Sequence, residues 1–121
     1  MLTKEFAFNF TNEWINSWNC HDIDKIMIHY DDSIDFTSPF IIQFNNDPNG
    51  RISNKNDLKD YFSRALNKFQ DLHFELLNTF LSVNSLVIHY KSVNNMIAAE
   101  YLEFNDHGKI IQVKAHYLNS F

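Results

Sequence analysis

Glu100 is the residue with the clearest capacity for chemistry. It stands in the run Met96-Ile97-Ala98-Ala99-Glu100-Tyr101-Leu102-Glu103-Phe104. A strand alternates its side chains between two faces, so Glu100 shares a face with Ala98, Leu102 and Phe104. A carboxyl among apolar neighbours is costly to ionise, and desolvation raises its pKa. Such a group is either satisfied structurally by a Tyr or Trp donor or kept for acid–base work at a site. Tyr90, Tyr117 and the indole N–H of Trp14 or Trp18 are its candidate donors.

Other constellations are weaker. His21-Asp22 with Asp24 invites a metal reading, but helix capping explains the same residues and no third ligand follows at a suitable spacing. No metal is expected. Cys20 has no basic neighbour to lower its pKa, so a nucleophilic role is not expected. No Gly-rich phosphate loop exists, and therefore no nucleotide cofactor is implied. His29, His73 and His107 are isolated and expected to be exposed. Asp35 could edge the mouth of a pocket.

These residues need elements to position them. Phe6, Phe10, Trp14 and Trp18 recur every four residues with Ile15 alongside, the stripe of a helix laid on a core. Thr3 can cap its start, and Asp22 can cap a short second helix over 23–28. Asp31-Asp32-Ser33 reads as a turn, and Ile34 to Ser38 as a short strand stopped by Pro39. Residues 43–50 read as a polar loop. Ser53 or Asn54 then caps a third helix, with Leu58, Tyr61, Phe62, Ala65, Leu66 and Phe69 as its buried stripe. After Asp71 the period changes to two, and the segments 72–81, 85–92, 96–104 and 109–118 read as four strands. The expectation is one α+β domain over 1–121, with three N-terminal helices packed on a curved, mainly antiparallel sheet.

Turn chemistry sets the register. Val93-Asn94-Asn95 fits a three-residue hairpin loop with Asn95 left-handed, which pairs Tyr90 with Ala98 and Ile88 with Glu100. Asn105-Asp106-His107-Gly108 fits a four-residue loop with Gly108 left-handed, which pairs Phe104 with Lys109 and Glu100 with Val113. One face then carries Leu86, Ile88, Tyr90, Ala98, Glu100, Leu102, Phe104, Ile111, Val113, Ala115 and Tyr117, and must lie under the helices. The opposite face carries His89 and His116 with Val87, Ile97, Tyr101 and Ile110, a semi-apolar surface suited to a dimer contact. A one-residue shift of the second loop would place His116 beside Glu100 as a dyad, but it scatters the apolar set.

Composition narrows the partners. The chain has 121 residues, 45% hydrophobic, with 12 Phe, 5 Tyr and 2 Trp, which is enough for a core and excludes disorder. A formal charge of −5 without a basic cluster argues against nucleic acid. One cysteine cannot form an internal disulfide. No signal peptide and no membrane span is visible, so a cytoplasmic location is expected.

Several runs carry a family resemblance. Trp14-Ile15-Asn16-Ser17-Trp18-Asn19-Cys20-His21-Asp22-Ile23-Asp24, then Tyr30-Asp31-Asp32, Ser38-Pro39, Leu58-Lys59-Asp60-Tyr61-Phe62, Ala98-Ala99-Glu100, Phe104-Asn105-Asp106-His107-Gly108-Lys109-Ile110 and Ala115-His116-Tyr117 resemble, in order, the SnoaL-like proteins of the nuclear transport factor 2-like superfamily. The resemblance implies a cone-shaped α+β barrel closed around a pocket, usually as a homodimer. Members include ketosteroid isomerases, limonene epoxide hydrolase, polyketide cyclases, scytalone dehydratase and noncatalytic binding proteins, so fold does not fix function.

Compared with the steroid isomerases, Glu100 falls where they carry an oxyanion-hole Asp, Trp14 where they carry an oxyanion-hole Tyr, and Ser38 where they carry the catalytic base. Two of three roles have changed, so that same isomerisation is not expected. The reading is a pocket for a small hydrophobic molecule, with Glu100 as acid or base and Trp14, Phe36, Ser38, Tyr61, Tyr90, Leu102, Val113 and Tyr117 against the ligand. The alternatives are a binding module without chemistry and a domain whose pocket is filled by its own aromatics. An open pocket of a few hundred Å3 supports the first two.

Overall fold

The computed structural model describes residues 1–118; the last three positions of the expected domain, 119–121, lie outside the described residues. Helix α1 spans Lys4–Asn19, and the Thr3 side chain accepts from Phe6 N at 3.0 Å at its start. Phe10, Trp14 and Trp18 are buried along it as the four-residue spacing predicts. Helix α2 (Ile23–Met27) is capped by Asp22, which accepts from the amides of Asp24 and Lys25. Strand β1 spans Tyr30–Thr37. The expected turn at Asp31-Asp32-Ser33 is thus part of a strand, and the Asp31 carboxylate instead takes the Ser33 amide and hydroxyl at 3.0 and 2.6 Å.

A further helix, α3 (Pro39–Asn45), replaces the start of the expected loop. Its cause is local. Ser38 accepts from Phe40 N, and proline at the first helical position lacks only an N–H that has no helical partner there. Asn46 ends α3 in the left-handed region, at φ 51°. Gly50 is also left-handed, and a Cβ there would lie 2.9 Å from the Ser38 carbonyl, so the returning chain needs glycine. Strand β2 (Arg51–Ile52) follows, then α4 (Lys55–Lys68), capped by Asn54 through Asp57 N.

The remaining strands are β3 (Glu75–Leu81), β4 (Ser85–Lys91), β5 (Ile97–Phe104) and β6 (Ile110–Tyr117). Their order is β2-β1-β6-β5-β4-β3, with β1 parallel to β6 and the other pairs antiparallel. Among the described residues the fold is therefore α+β as expected, but with four α-helices rather than three, on a mixed sheet that is not closed into a barrel.

The first hairpin has the expected register, Ile88 with Glu100 and Tyr90 with Ala98, with both Asn94 and Asn95 left-handed in the loop. The second hairpin differs. Asn105 N donates to Lys109 O, leaving a three-residue loop with Gly108 at φ 73°, and a bulge follows between Glu103 and Phe104. The two changes move the partner of Glu100 from Val113 to Ala115. A shift of two residues preserves which face each side chain takes. Beyond the bulge it does not: Ile110 is fully buried, and Ile111 takes the half-buried outer position. The expected dimer patch accordingly loses Ile110.

Candidate functional site

Under α1 and α4 lies a cavity of about 80 Å3. Glu100, from the middle of β5, stands in its wall and is 4% exposed. Tyr90, on β4, donates its hydroxyl to Glu100 Oε1 at 2.8 Å. Burial pushes the carboxyl from an ordinary 4.5 up to about 7, against the downward pull of the Tyr90 hydrogen bond. Glu100 therefore changes charge near neutrality.

Four phenols feel that charge. Tyr30, Tyr61, Tyr90 and Tyr117 are all raised above the ordinary phenol value, first by burial and also by the Glu100 carboxylate. Tyr61, the least shifted by value, is pushed up to about 12. The Ser38 hydroxyl lies close enough to Tyr61 and Tyr117, and Tyr90 to Tyr117, to pull these two phenols part of the way back down. All four phenols stay protonated at neutral pH, so among these groups Glu100 alone exchanges a proton there.

The apolar walls come from several elements. Trp14 packs on Tyr90 and Phe74 at centroid distances of 5.4 and 5.9 Å, and Trp18 lies edge-on to Phe62 at 4.7 Å. The Asn19 side chain clamps both backbone polar groups of Phe74, at 2.6 and 3.0 Å, and His21 Nε2 meets the Leu72 carbonyl at 2.8 Å. These bonds fix Leu72 and Phe74 in the wall. Phe40 and Phe44 of α3 stack nearly parallel, 5.7 Å apart, and Phe40 packs edge-on to Tyr117 at 4.8 Å.

Of the nine residues expected at the site, seven line the cavity: Glu100, Trp14, Phe36, Ser38, Tyr61, Tyr90 and Tyr117. Leu102 and Val113 do not. Both are fully buried in the core, one strand step beyond Glu100. Phe40, Phe44, Phe69, Ser92 and Val93 also line the cavity and were not expected. The Ser38-Pro39 helix-start signal followed by an apolar run could have found the first two. The donor expectation holds for Tyr90, whereas the Trp14 indole N–H goes to Tyr30 OH at 3.2 Å. Trp18 Nε1 is buried without a hydrogen-bond partner among the described residues; it lies close enough to bias Tyr30 but outside bonding geometry.

Two other expectations, for Asp35 and His29, are corrected. Asp35 does not edge the cavity; it pairs with Arg51 at 2.7 Å. His29 is buried rather than exposed, 5.1 Å from the Phe10 ring. His89 and His116 lie on the outer face, bonded to Asn78 and to the Lys114 carbonyl, away from Glu100. Among the described residues no cluster of three metal-ligating side chains occurs, and no helix is long and apolar enough to cross a membrane.

A SnoaL-like protein of unknown function from Burkholderia thailandensis shares 38% identity over 97% of this chain and 98% of that one, with a TM-score of 0.94. This chain belongs to the SnoaL-like family. More distant structures share the fold of the SnoaL-like protein described here. A nuclear transport factor 2-like protein of unknown function from Cytophaga hutchinsonii superposes at TM-score 0.73 with 12% identity, covering 98% and 95% of the two chains. A candidate isomerase of the SnoaL-like family from Agrobacterium tumefaciens superposes at 0.75 with 11% identity, covering 95% and 99%. Comparison with family models and with curated proteins returned no match.

Ser38 and Trp14, the two positions at which the resemblance to steroid isomerases implies changed roles, are engaged inside the protein. Ser38 caps α3 by accepting from Phe40 N. The Trp14 indole N–H donates to Tyr30 OH.

Proposed function

We propose that this SnoaL-like protein binds a small, largely hydrophobic molecule in the cavity and moves a proton on it without a cofactor, in an isomerisation, cyclisation, dehydration or hydrolysis. The single supporting observation is Glu100: a buried carboxyl in the cavity wall, held by one phenol and poised at about 7. A group titrating near the working pH is both available as a base and competent as an acid. At about 80 Å3 the cavity falls short of the few hundred Å3 that marks an open pocket and of the roughly 300–1,000 Å3 of sites for drug-sized ligands; that size favours the alternative of a pocket largely filled by its own aromatics, and only a compact part of a ligand enters it. The likeness to the candidate isomerase from Agrobacterium tumefaciens is in keeping with proton transfer on that part.

The noncatalytic reading rests on Ser38 and Trp14, whose polar groups are taken up inside the protein. One experiment separates the two. A ligand found by native mass spectrometry of the purified protein is returned to it in deuterium oxide. Turnover predicts deuterium in the ligand or an altered mass with the wild type and none with Glu100→Gln, which still binds. A ligand returned unchanged by the wild type identifies a carrier.

The same reading makes the protein a cytoplasmic homodimer joined through the outer sheet face, where Val87, Ile97, Tyr101 and Ile111 are half-buried. An exposed thiol such as Cys20 stays reduced in that compartment. A monomer in size-exclusion chromatography at micromolar concentration overturns the dimer.

A further inference from the structure

The cavity borders two open depressions, and they differ in charge. One, of about 450 Å3, meets it at Phe69, Leu72, Ser92 and Val93. Its outer side carries Asp71, with no cationic partner among the described residues, and a Glu75–Lys91 pair at 3.7 Å. The other, of about 150 Å3, meets the cavity at Phe44, Tyr61 and Ala65, between α3 and α4. Its outer side carries Arg64 and Lys68.

These two cations are not equivalent. Arg64 is matched, by Asp60 at 3.0 Å and by the Asn45 side-chain oxygen at 2.8 Å. Lys68 has no carboxylate within ion-pairing distance among the described residues. Its ammonium stands 4.2 Å from the centre of the Phe44 ring and 5.6 Å from that of Phe69, and both rings are cavity wall. In a chain of net charge −5, an unmatched cation held over two wall aromatics marks the side from which an anion is drawn in.

We propose that the ligand is an amphipathic monocarboxylate, its apolar body among the aromatic walls and its carboxylate against the Lys68 ammonium. This rests on the cavity being the ligand site. The acidic depression disfavours the opposite orientation, and the end of the ligand remote from its carboxylate is the end that reaches Glu100. Lys68 is then a specificity-determining residue, because it favours an acid over the alcohol of the same shape.

The test uses 4-phenylbutanoate and 4-phenylbutan-1-ol, titrated calorimetrically into the intact protein near pH 6, where the acid is ionised and Glu100 is still mostly protonated. The wild type should bind the carboxylate about tenfold tighter than the alcohol, as a charge-assisted hydrogen bond requires. Added salt should reduce that ratio. Lys68→Met should bring the ratio near unity, and Lys68→Glu should reverse it; Lys68 is exposed, so both variants are expected to fold. If both probes bind and the ratio is unaffected by either substitution, the anion assignment is overturned while the cavity reading stands. If neither probe binds the wild type, the cavity reading fails and the assignment with it.

Discussion

Two buried titratable side chains face the inner side of the sheet at different points along β6, and their surroundings have little in common. His29 lies at the start of that strand, its carbonyl accepting from Ile110 N at 2.8 Å. Phe10 and Phe104 meet edge-on beside it at 4.8 Å, and the His29 Nε2 has no hydrogen-bond partner among the described residues. Glu100 lies towards the other end, opposite Ala115, beside a cavity and bonded to a phenol. Burial drives both groups towards their neutral forms, lowering the pKa of His29 and raising that of Glu100. The shift alone therefore does not mark a site. The open space beside Glu100 is what sets it apart from His29, because a proton donor needs a reacting atom within reach.

The difference can be broken at either end, and the largest effect should be on packing. Phe10→Ala removes a buried ring that touches Phe6, His29 and Phe104 and should destabilise by about 3–5 kcal/mol in urea unfolding. Phe44→Ala removes a half-buried ring at the cavity rim and should cost only about 1 kcal/mol. Similar losses at the two positions would mean that the rim is as tightly packed as the core.

Next in size is the charge of Glu100. Its folded-state pKa lies above the ordinary value, so the stability it contributes is complete below about 4.5 and is lost as pH rises through about 7. Glu100→Gln keeps the shape and cannot ionise. It should be more stable than the wild type near pH 8 by up to about 3 kcal/mol, with no advantage near pH 4.5. A constant difference across that range would contradict the assignment. The sign at His29 is opposite. Its lowered pKa makes stability present above the ordinary histidine value and lost on acidification. His29→Leu should therefore flatten the acid side of the stability–pH curve and leave the region around neutrality unchanged.

A smaller effect than that of the Glu100 charge should come from Tyr90→Phe. Loss of one hydrogen bond costs about 1–2 kcal/mol. The informative readout is the Glu100 midpoint, which should move above its wild-type value because Tyr90 is what holds it down.

The contrast between these regions also explains what could be read from sequence. The four-residue stripe of α1 and the period-two strands placed Trp14, Tyr90 and Glu100 together, because alternation is insensitive to a two-residue error in pairing. The true pairing of Glu100 with Ala115 depends on a bulge and a three-residue loop, features decided by a few local hydrogen bonds. For that reason Ile110 lies on the inner face, where the four-residue loop predicts the outer one. Helix α3 was legible in Ser38-Pro39 but was hidden behind the polar run that follows it. Its Phe40 and Phe44 are part of the wall that a strand-and-loop reading leaves open. The burial of His29 is not legible, because a lone histidine after an apolar helix carries no periodic signal of it. That Trp14 donates to Tyr30 rather than to Glu100 is a matter of ring rotamers, which one chain's spacing does not encode.

The central claim is that one carboxyl, enclosed beside a cavity, exchanges its proton near neutral pH. The most direct measurement is the carboxyl 13C chemical shift of Glu100 followed by NMR across a pH titration, assigned by its loss in Glu100→Gln. A midpoint near 7 is the result expected from the enclosed, phenol-bonded geometry. A midpoint near 4.5, the ordinary value, would show a solvated side chain and contradict the account.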